Sequence, residues 1–376
     1  MRFRAKSDRM ELNTGEDTGS GGSRHLRRRG RRPRTYAAID LGTNNCRMLI
    51  ARPAKKGFRV CDGFSRIVRL GEGVDANGVL SEAAMARTID ALGVCARKMR
   101  RRGVDRVHAI ATAACRGAAN RDAFLDRVAA ETGIELDTIP GREEARLAMI
   151  GCLPLVDAAA RWVLVFDIGG GSTELVWLAC EGTRPREVAA WTSLPCGVVA
   201  LAEEYGGDRV SVATYKDMVD RVHALLAPFE AAHGLGREVA EGGVQMIGTS
   251  GTVTTIAGVF LELPRYDRER VDGLWLSSAD IDATSERLRA LDYDARAAIP
   301  SIGPRRADLV VAGCAILEAI RRTWPVGRLR VADRGLREGM LLGMMGTDWP
   351  GADGHAVSFA PGCDDAILAD HAPRAR

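Results

Sequence analysis

The stretch IDLGTNNCRMLIA, residues 39–51, can be laid position for position on FDIGGGSTELVWL, residues 166–178. Asp40 then falls on Asp167, Gly42 on Gly169, Asn45 on Ser172 and Arg47 on Glu174. In each copy an apolar run enters a turn of small polar residues and a second apolar run leaves it, the pattern of strand, tight turn, strand. A lone glycine turn recurs by chance in many chains. Here each copy also opens its own run of strands and helices, which predicts a duplicated α/β domain facing itself across a cleft.

Outward from the first copy, YAAIDLG and CRMLIARP are strands, and residues 81–102 form an amphipathic helix opened by Ser81 with Glu82 behind it. RVHAIAT is a buried strand, followed by a helix over about residues 117–132, a short strand ELDTIP and a helix opened by Gly141. Outward from the second copy, RWVLVFDIGG and STELVWLAC lead through a polar hairpin to a strand at 244–248. Helices at about 251–262, 278–291 and 306–323, a strand RLRVAD and a helix from Leu336 to Met345 complete that half. The two domains are placed at residues 35–157 and 158–346, with the last helix free to pack back on the first domain. Residues 347–376 read as a loose tail.

A chain of 376 residues that is 46% hydrophobic can bury a core in each of two domains. No apolar run approaches the roughly 18 residues that span a bilayer. The N-terminus, MRFRAKSDRMELNTGEDTGS, lacks the apolar centre of a secretory signal, so no membrane partner is expected and the expected compartment is the cytoplasm. Nine scattered cysteines with no C-x-x-C spacing read as buried thiols, not as a disulfide or zinc frame.

The net charge is +4, yet residues 1–34 hold eleven Lys and Arg against four Asp and Glu. The remaining body is therefore slightly acidic, and any grip on a polyanion must come from local geometry. The tail ends in RHLRRRGRRPR, is too poor in apolar residues to pack, and is expected to be disordered. A solvated, solubilising role is favoured over weak nucleic-acid contacts, because no aromatic residues interleave the arginines. A homodimer is compatible with the sequence, though no interface can be read from it.

The two turns expose consecutive backbone N–H groups that suit phosphate oxygens: Gly42, Thr43, Asn44 and Asn45 in the first, and Gly169, Gly170, Gly171, Ser172 and Thr173 in the second. Hairpins whose glycines merely satisfy a turn are the plain alternative. VQMIGTSGTVTTIAG is strand, loop, helix, and puts Gly248, Thr249, Ser250 and Gly251 at a helix N-terminus, where phosphate binding and simple capping fit equally. Asp167 and Glu174 flank the second turn closely enough to share a hydrated Mg²⁺ or another divalent cation, with Asp40 as a third acidic contact. A carboxylate between Phe166 and Ile168 is costly unless it is paired or metal-bound.

Arg305, Arg306 and Asp308, and further on Arg334 and Arg337, either line the cleft or pair with its acids. No Ser-His-Asp, Cys-His or H-E-x-x-H pattern stands out, which argues against covalent catalysis and against zinc. Glu144 and Arg116 have ordinary readings as well, a carboxylate in a first helical turn and a surface ion pair.

With DLGTNN, ATAACRGAAN, GREEARL, DIGGGSTEL, GTSGT and ADRGLREGM in this order and spacing, the chain resembles the exopolyphosphatase/guanosine pentaphosphate phosphohydrolase (Ppx/GppA) family over about residues 36–345. EEARL ahead of DIGGGSTEL is the more specific part, since DxGT is shared across the superfamily of actin, acetate kinase and the sugar kinases. The resemblance implies two ribonuclease-H-like domains of that superfamily around a central cleft, in a short form without the helical C-terminal region of larger members. It implies Glu144 as the group that accepts the proton of the attacking water, Glu174 and Asp167 as groups that position metal or water, and Arg116 as a phosphate contact. The implied activity is release of terminal orthophosphate from inorganic polyphosphate by metal-assisted water attack. Guanosine pentaphosphate (pppGpp) is the alternative substrate, and an actin-fold kinase a more distant alternative. GTNN in the first turn, and ATAAC where many relatives carry Ser or Thr, are mild departures from the family's pattern.

Overall fold

The computed structural model describes residues 33–55, 57–181, 184–346 and 358–359. The arginine-rich tail, apart from residues 33–34, and nearly all of the expected C-terminal tail lie outside those residues.

The first half runs β1 (Tyr36–Leu41), β2 (Asn45–Pro53), β3 (Phe58–Ile67), α1 (Val74–Asn77), α2 (Glu82–Arg102), β4 (Arg106–Ala111), α3 (Ala113–Gly117), α4 (Arg121–Thr132), β5 (Asp137–Thr138) and α5 (Gly141–Cys152). The second runs β6 (Trp162–Ile168), β7 (Thr173–Glu181), β8 (Arg184–Leu194), α6 (Val198–Tyr205), α7 (Val212–His233), α8 (Gly236–Ala240), β9 (Val244–Thr249), α9 (Ser250–Phe260), α10 (Arg268–Val271), β10 (Trp275–Ser277), α11 (Ser278–Ala290), α12 (Tyr293–Ala297), α13 (Val310–Thr323), β11 (Arg328–Val331) and α14 (Leu336–Met345). A two-residue strand β12 (Ser358–Phe359) follows and pairs with the edge strand β8. That pairing corrects the expectation of a loose tail at this one point.

The sheets repeat one another. The first has the order β3-β2-β1-β4-β5, and the second contains β8-β7-β6-β9-β11 with β12 and β10 added at its edges. In both, the first hairpin is antiparallel and the central strand pairs in parallel with the next one. This is the duplicated α/β architecture expected from the repeat, with the ribonuclease-H-like form that the family resemblance implies, and it aligns in register. Asp40 faces Arg47 across one hairpin, and Asp167 faces Glu174 across the other.

Two helices exchange partners between the halves. Helix α5 precedes the second sheet in the chain, yet its Ala145, Met149 and Cys152 pack with Val163, Val165, Val176 and Ile247 of that sheet. Helix α14 closes the chain's second half, yet its Leu336, Met340, Leu341 and Met345 pack with Tyr36, Ala38, Leu49 and Ile110 of the first. The two helices also cross each other at glycines. A Cβ on Gly339 would lie 2.0 Å from the Leu147 carbonyl oxygen, and one on Gly151 would lie 2.0 Å from that of Gly335. No side chain fits at either position.

The helix expected at about 117–132 is α4, which starts at Arg121, with the short α3 ahead of it. Just before α4, the Asn120 side chain leaves the helix direction and pairs with Leu80, accepting from its amide and donating to its carbonyl, each at 2.9 Å. Helix α13 starts at Val310 instead of near 306, after a series of turns. Strand β3 and the 22-residue α7 have no counterpart in the sequence reading. β3 shows no alternating buried face, so it carries no period-2 signal. No helix among the described residues is long and apolar enough to cross a membrane.

Gly339→Ala is expected to destabilise the protein by about 1–3 kcal/mol through overpacking at the helix crossing. Gly343→Ala, where a Cβ would meet nothing within 4 Å, is expected to be neutral or slightly stabilising. Urea midpoints measured on both variants check the contrast, and equal midpoints would rule out the crossing as a close constraint.

Candidate active site

Each hairpin turn closes with the same bond, from the Gly42 amide to the Asn45 carbonyl and from the Gly169 amide to the Ser172 carbonyl, both at 2.9 Å. The turns come tip to tip. A Cβ on Gly170 would lie 2.9 Å from Thr43 Cβ, and one on Gly171 would lie 2.7 Å from Thr43 Oγ1. Glycine at 170 and 171 is therefore what lets the two halves meet here. The Gly169 and Gly170 carbonyls accept from the Val198 and Val199 amides, which ties the second turn to α6.

Beside this contact opens a narrow cleft. Its walls include the two turns (Gly42 to Asn45 and Gly169 to Ser172), Thr249, Ser250 and Glu144. Asp40 and Asp167 lie on its floor, and the segment Asp333–Arg337, at the start of α14, forms another wall. The strand-to-helix turn at β9–α9 holds Ser250 at φ 80°, a left-handed conformation that L side chains resist. Its hydroxyl lies close enough to Asp167 to hold down that carboxyl's proton affinity.

Four carboxylates crowd the site. Glu144 Oε2 accepts from Arg116 at 2.6 Å, and the same guanidinium nitrogen reaches the Ile139 carbonyl at 3.1 Å. Glu174 is buried, and its Oε1 accepts from Ser172 at 2.6 Å and Ser193 at 2.8 Å. Burial, then the charge of Glu174, pushes Glu144 well above the ordinary carboxylate range, against the pull of Arg116. Asp167 is pushed up to about 7, first by burial and then by Glu174 and Asp40. Burial raises Asp40 as well, although Arg47 and Arg337 oppose it, and burial raises Glu174 against its two serine hydrogen bonds. Among the described residues, no three His, Cys, Asp or Glu side chains converge as a ready-made metal cage.

The sequence-predicted residues fall into three groups. Gly42, Thr43, Asn44, Asn45, Gly169, Gly170, Gly171, Ser172, Thr249, Ser250, Asp40, Asp167 and Glu144 all line the cleft. Arg116 and Glu174 stand one layer behind it, Arg116 bound to Glu144 and Glu174 to the two serines. Gly251 lines an adjoining hollow with Arg306.

Thr173 and Gly248 are the exceptions to the expected phosphate contacts. Thr173 is fully buried and its hydroxyl is spent on the Cys196 carbonyl at 2.7 Å. Gly248 faces Phe166, whose ring would lie 2.5 Å from an added Cβ, so its glycine serves packing. Of the open alternatives, Arg337 lines the cleft. Arg334 lines it too while bonding Asp272, and Asp308 pairs with Arg69 of the first half at 2.9 Å. Ser193, Thr112 and Asp333 belong to the site without having been singled out. Ser193 ends an edge strand and Thr112 and Asp333 follow strands, places that carry no sequence signal of their own.

An unfolded Asp near its ordinary value of 3.8 holds fewer protons than the folded one between that value and about 7. Its contribution to stability is therefore full below about pH 4 and is lost as the pH rises through about 7. Asp167→Asn, uncharged at every pH, is expected to lessen the fall in melting temperature across that window. An unchanged slope would show that Asp167 does not titrate there.

The chain is similar to known proteins over most of its length. Residues 49–348 match the Ppx/GppA phosphatase family. Exopolyphosphatase 2 of Mycobacterium tuberculosis is 31% identical over 324 residues, covering 82% of this chain and 98% of that protein. Guanosine-5'-triphosphate,3'-diphosphate pyrophosphatase of Photobacterium profundum is 32% identical over 323 residues and covers 82% of this chain, which spans 59% of that longer protein. Among solved structures, an exopolyphosphatase from Cytophaga hutchinsonii matches with a TM-score of 0.76 at 26% identity, covering 84% of this chain and 99% of that one. The Aquifex aeolicus Ppx/GppA family member matches with a TM-score of 0.67 at 28% identity, covering 84% and 98%. With its two opposed turns, its Glu144 helix and a match across most of its length, the chain belongs to the Ppx/GppA phosphatase family.

Proposed function

We propose that this protein is an exopolyphosphatase, hydrolysing the terminal phosphoanhydride bond of inorganic polyphosphate with Glu144 as the base that takes the proton of the attacking water. The observation that carries this reading is Glu144 itself, a carboxylate on the wall of the cleft whose proton affinity is raised by burial and by its acidic neighbours. A raised proton affinity makes this carboxylate a stronger base than an ordinary one. Arg116 positions it through the 2.6 Å bond. In this reading the turn amides outside the turns' own closing bonds, those of Thr43, Asn44, Gly170 and Gly171, hold the terminal phosphoryl group in line with the water.

The donor set suits a hydrated divalent cation such as Mg²⁺ in place of a fully protein-caged one. Asp40 and Asp167 crowd together with raised proton affinity, which a cation would relieve. When bound there, the cation supplies charge that offsets the phosphate oxygens. Glu174, held by Ser172 and Ser193, orients the floor beside it. The eight cysteines described are all free and six of them are buried, which suits the reducing cytoplasm.

pppGpp is the competing substrate, since the same phosphate-gripping turns serve a nucleoside triphosphate end. Phosphate release from long-chain polyphosphate and from pppGpp, assayed side by side, is expected to favour polyphosphate. Glu144→Gln is expected to lower kcat about 100-fold or more on either substrate with little change in KM. Full activity of Glu144→Gln would sink the assignment of the base, and a preference for pppGpp would replace the substrate.

A further inference from the structure

The far end of α2 concentrates positive charge on a body that is otherwise slightly acidic. RKMRRRGVDR, residues 97–106, holds six Lys or Arg against one Asp. Lys98, Arg101 and Arg102 converge from the helix on a single carboxylate of β3, Asp62, at 2.6, 3.6 and 2.8 Å. Three cations therefore share one counter-charge. Arg97 and Arg100 on the same helix, Arg106 just after it and Arg59 of β3 are exposed and have no carboxylate partner among the described residues. Like charges three and four positions apart on one helix face repel, and cations at a helix C-terminus are welcome only in part for the macrodipole. The cluster exceeds what that dipole needs.

The place matters as much as the charge. At its near end α2 touches the cleft's first turn, where Arg87 Nε donates to the Val68 carbonyl and Val68 in turn donates to Asn44. At its far end the Asp105 amide donates to the Thr35 carbonyl, and the Thr35 amide donates to Asp105 Oδ2. The arginine-rich stretch RHLRRRGRRPR, residues 24–34, leads into Thr35 at this same end. From Arg87 to Arg102 the helix runs 15 residues, about 22 Å. Inorganic triphosphate held in the cleft cannot span that distance, whereas a long phosphate chain can.

We propose that the cationic face formed by the C-terminal end of α2 with β3 is a tethering site for long-chain inorganic polyphosphate, distinct from the hydrolytic cleft. The inference rests on the exopolyphosphatase reading of that cleft. A chain held at both places is presented to the cleft at a high effective concentration, which lowers KM for long substrates and leaves the chemical step alone. A nucleic acid is the less suited polyanion, because single strands are gripped by stacked aromatic rings. The aromatic ring on this face, Phe64, has Arg66 lying over it at 5.4 Å.

The test uses the full chain and the double variant Arg97→Glu/Arg100→Glu, neither residue being part of the cleft. KM for long-chain polyphosphate is expected to rise about tenfold, with kcat unchanged and with KM for inorganic triphosphate unchanged. The lysine pair Arg97→Lys/Arg100→Lys is expected to restore the wild-type value, since charge and not shape is at issue. Filter retention of long-chain polyphosphate without turnover should fall in the glutamate variant alone. Equal KM on long chains for wild type and glutamate variant overturns the proposal, as does a loss that appears equally with triphosphate. A face that loses RNA retention while the long-chain KM stays the same overturns it in favour of a nucleic-acid surface. Failure of the wild type to release phosphate from either substrate would instead strike the exopolyphosphatase reading, with retention still reporting on the tether.

Discussion

Where α5 and α14 cross, two backbones pass so closely that Gly339 stands against the Leu147 carbonyl and Gly151 against that of Gly335. The placement of the site depends on this crossing. Helix α5 carries Glu144 in its first turn and packs on the second sheet, while α14 begins with Gly335 and Leu336 on the cleft wall and packs on the first. Each helix is thus clamped to the sheet of the opposite half. The wall that carries Glu144 cannot move away from the floor without unpacking a core, and interiors at this density resist such movement.

The second contact, between the tips of the two turns, sets how near the halves come. Gly170 and Gly171 admit Thr43 where any side chain would collide. Together with the Arg69–Asp308 ion pair this gives the cleft two closed margins. An ion pair of that partial exposure contributes little by itself, so the glycine contact and the crossed helices carry the geometry.

Inside these margins the protein accepts an electrostatic cost. Asp40, Asp167, Glu144 and Glu174 are drawn into one buried group, and burial raises the proton affinity of all four. Such crowding is unfavourable in a folded core unless a cation or a reacting proton is meant to enter it. Arg116 and the serines Ser172, Ser193 and Ser250 temper the group without neutralising it. The left-handed Ser250 belongs to the same pattern of strain held by its surroundings.

Much of this was legible from residue order. The two turns, their strands, the α2 helix with its Ser81 cap and the cleft position of Asp40 and Asp167 follow from local periodicity and from a repeat that places equivalent residues in equivalent strands. β3 was not legible, because a strand with no buried face leaves no alternation to read. Nor were the packing role of Gly248 or the buried hydroxyl of Thr173, since a glycine or threonine in a phosphate-like motif looks the same whether it faces a ligand or a core. The sequence by itself determined the duplicated sheets and the chemistry available at the turns, because both are written in residues near one another along the chain. Only the tertiary structure decided that α5 and α14 trade sheets, that Ser193 reaches Glu174, and that Arg116 points at Glu144, because each depends on contacts between segments far apart in sequence, which no local pattern encodes.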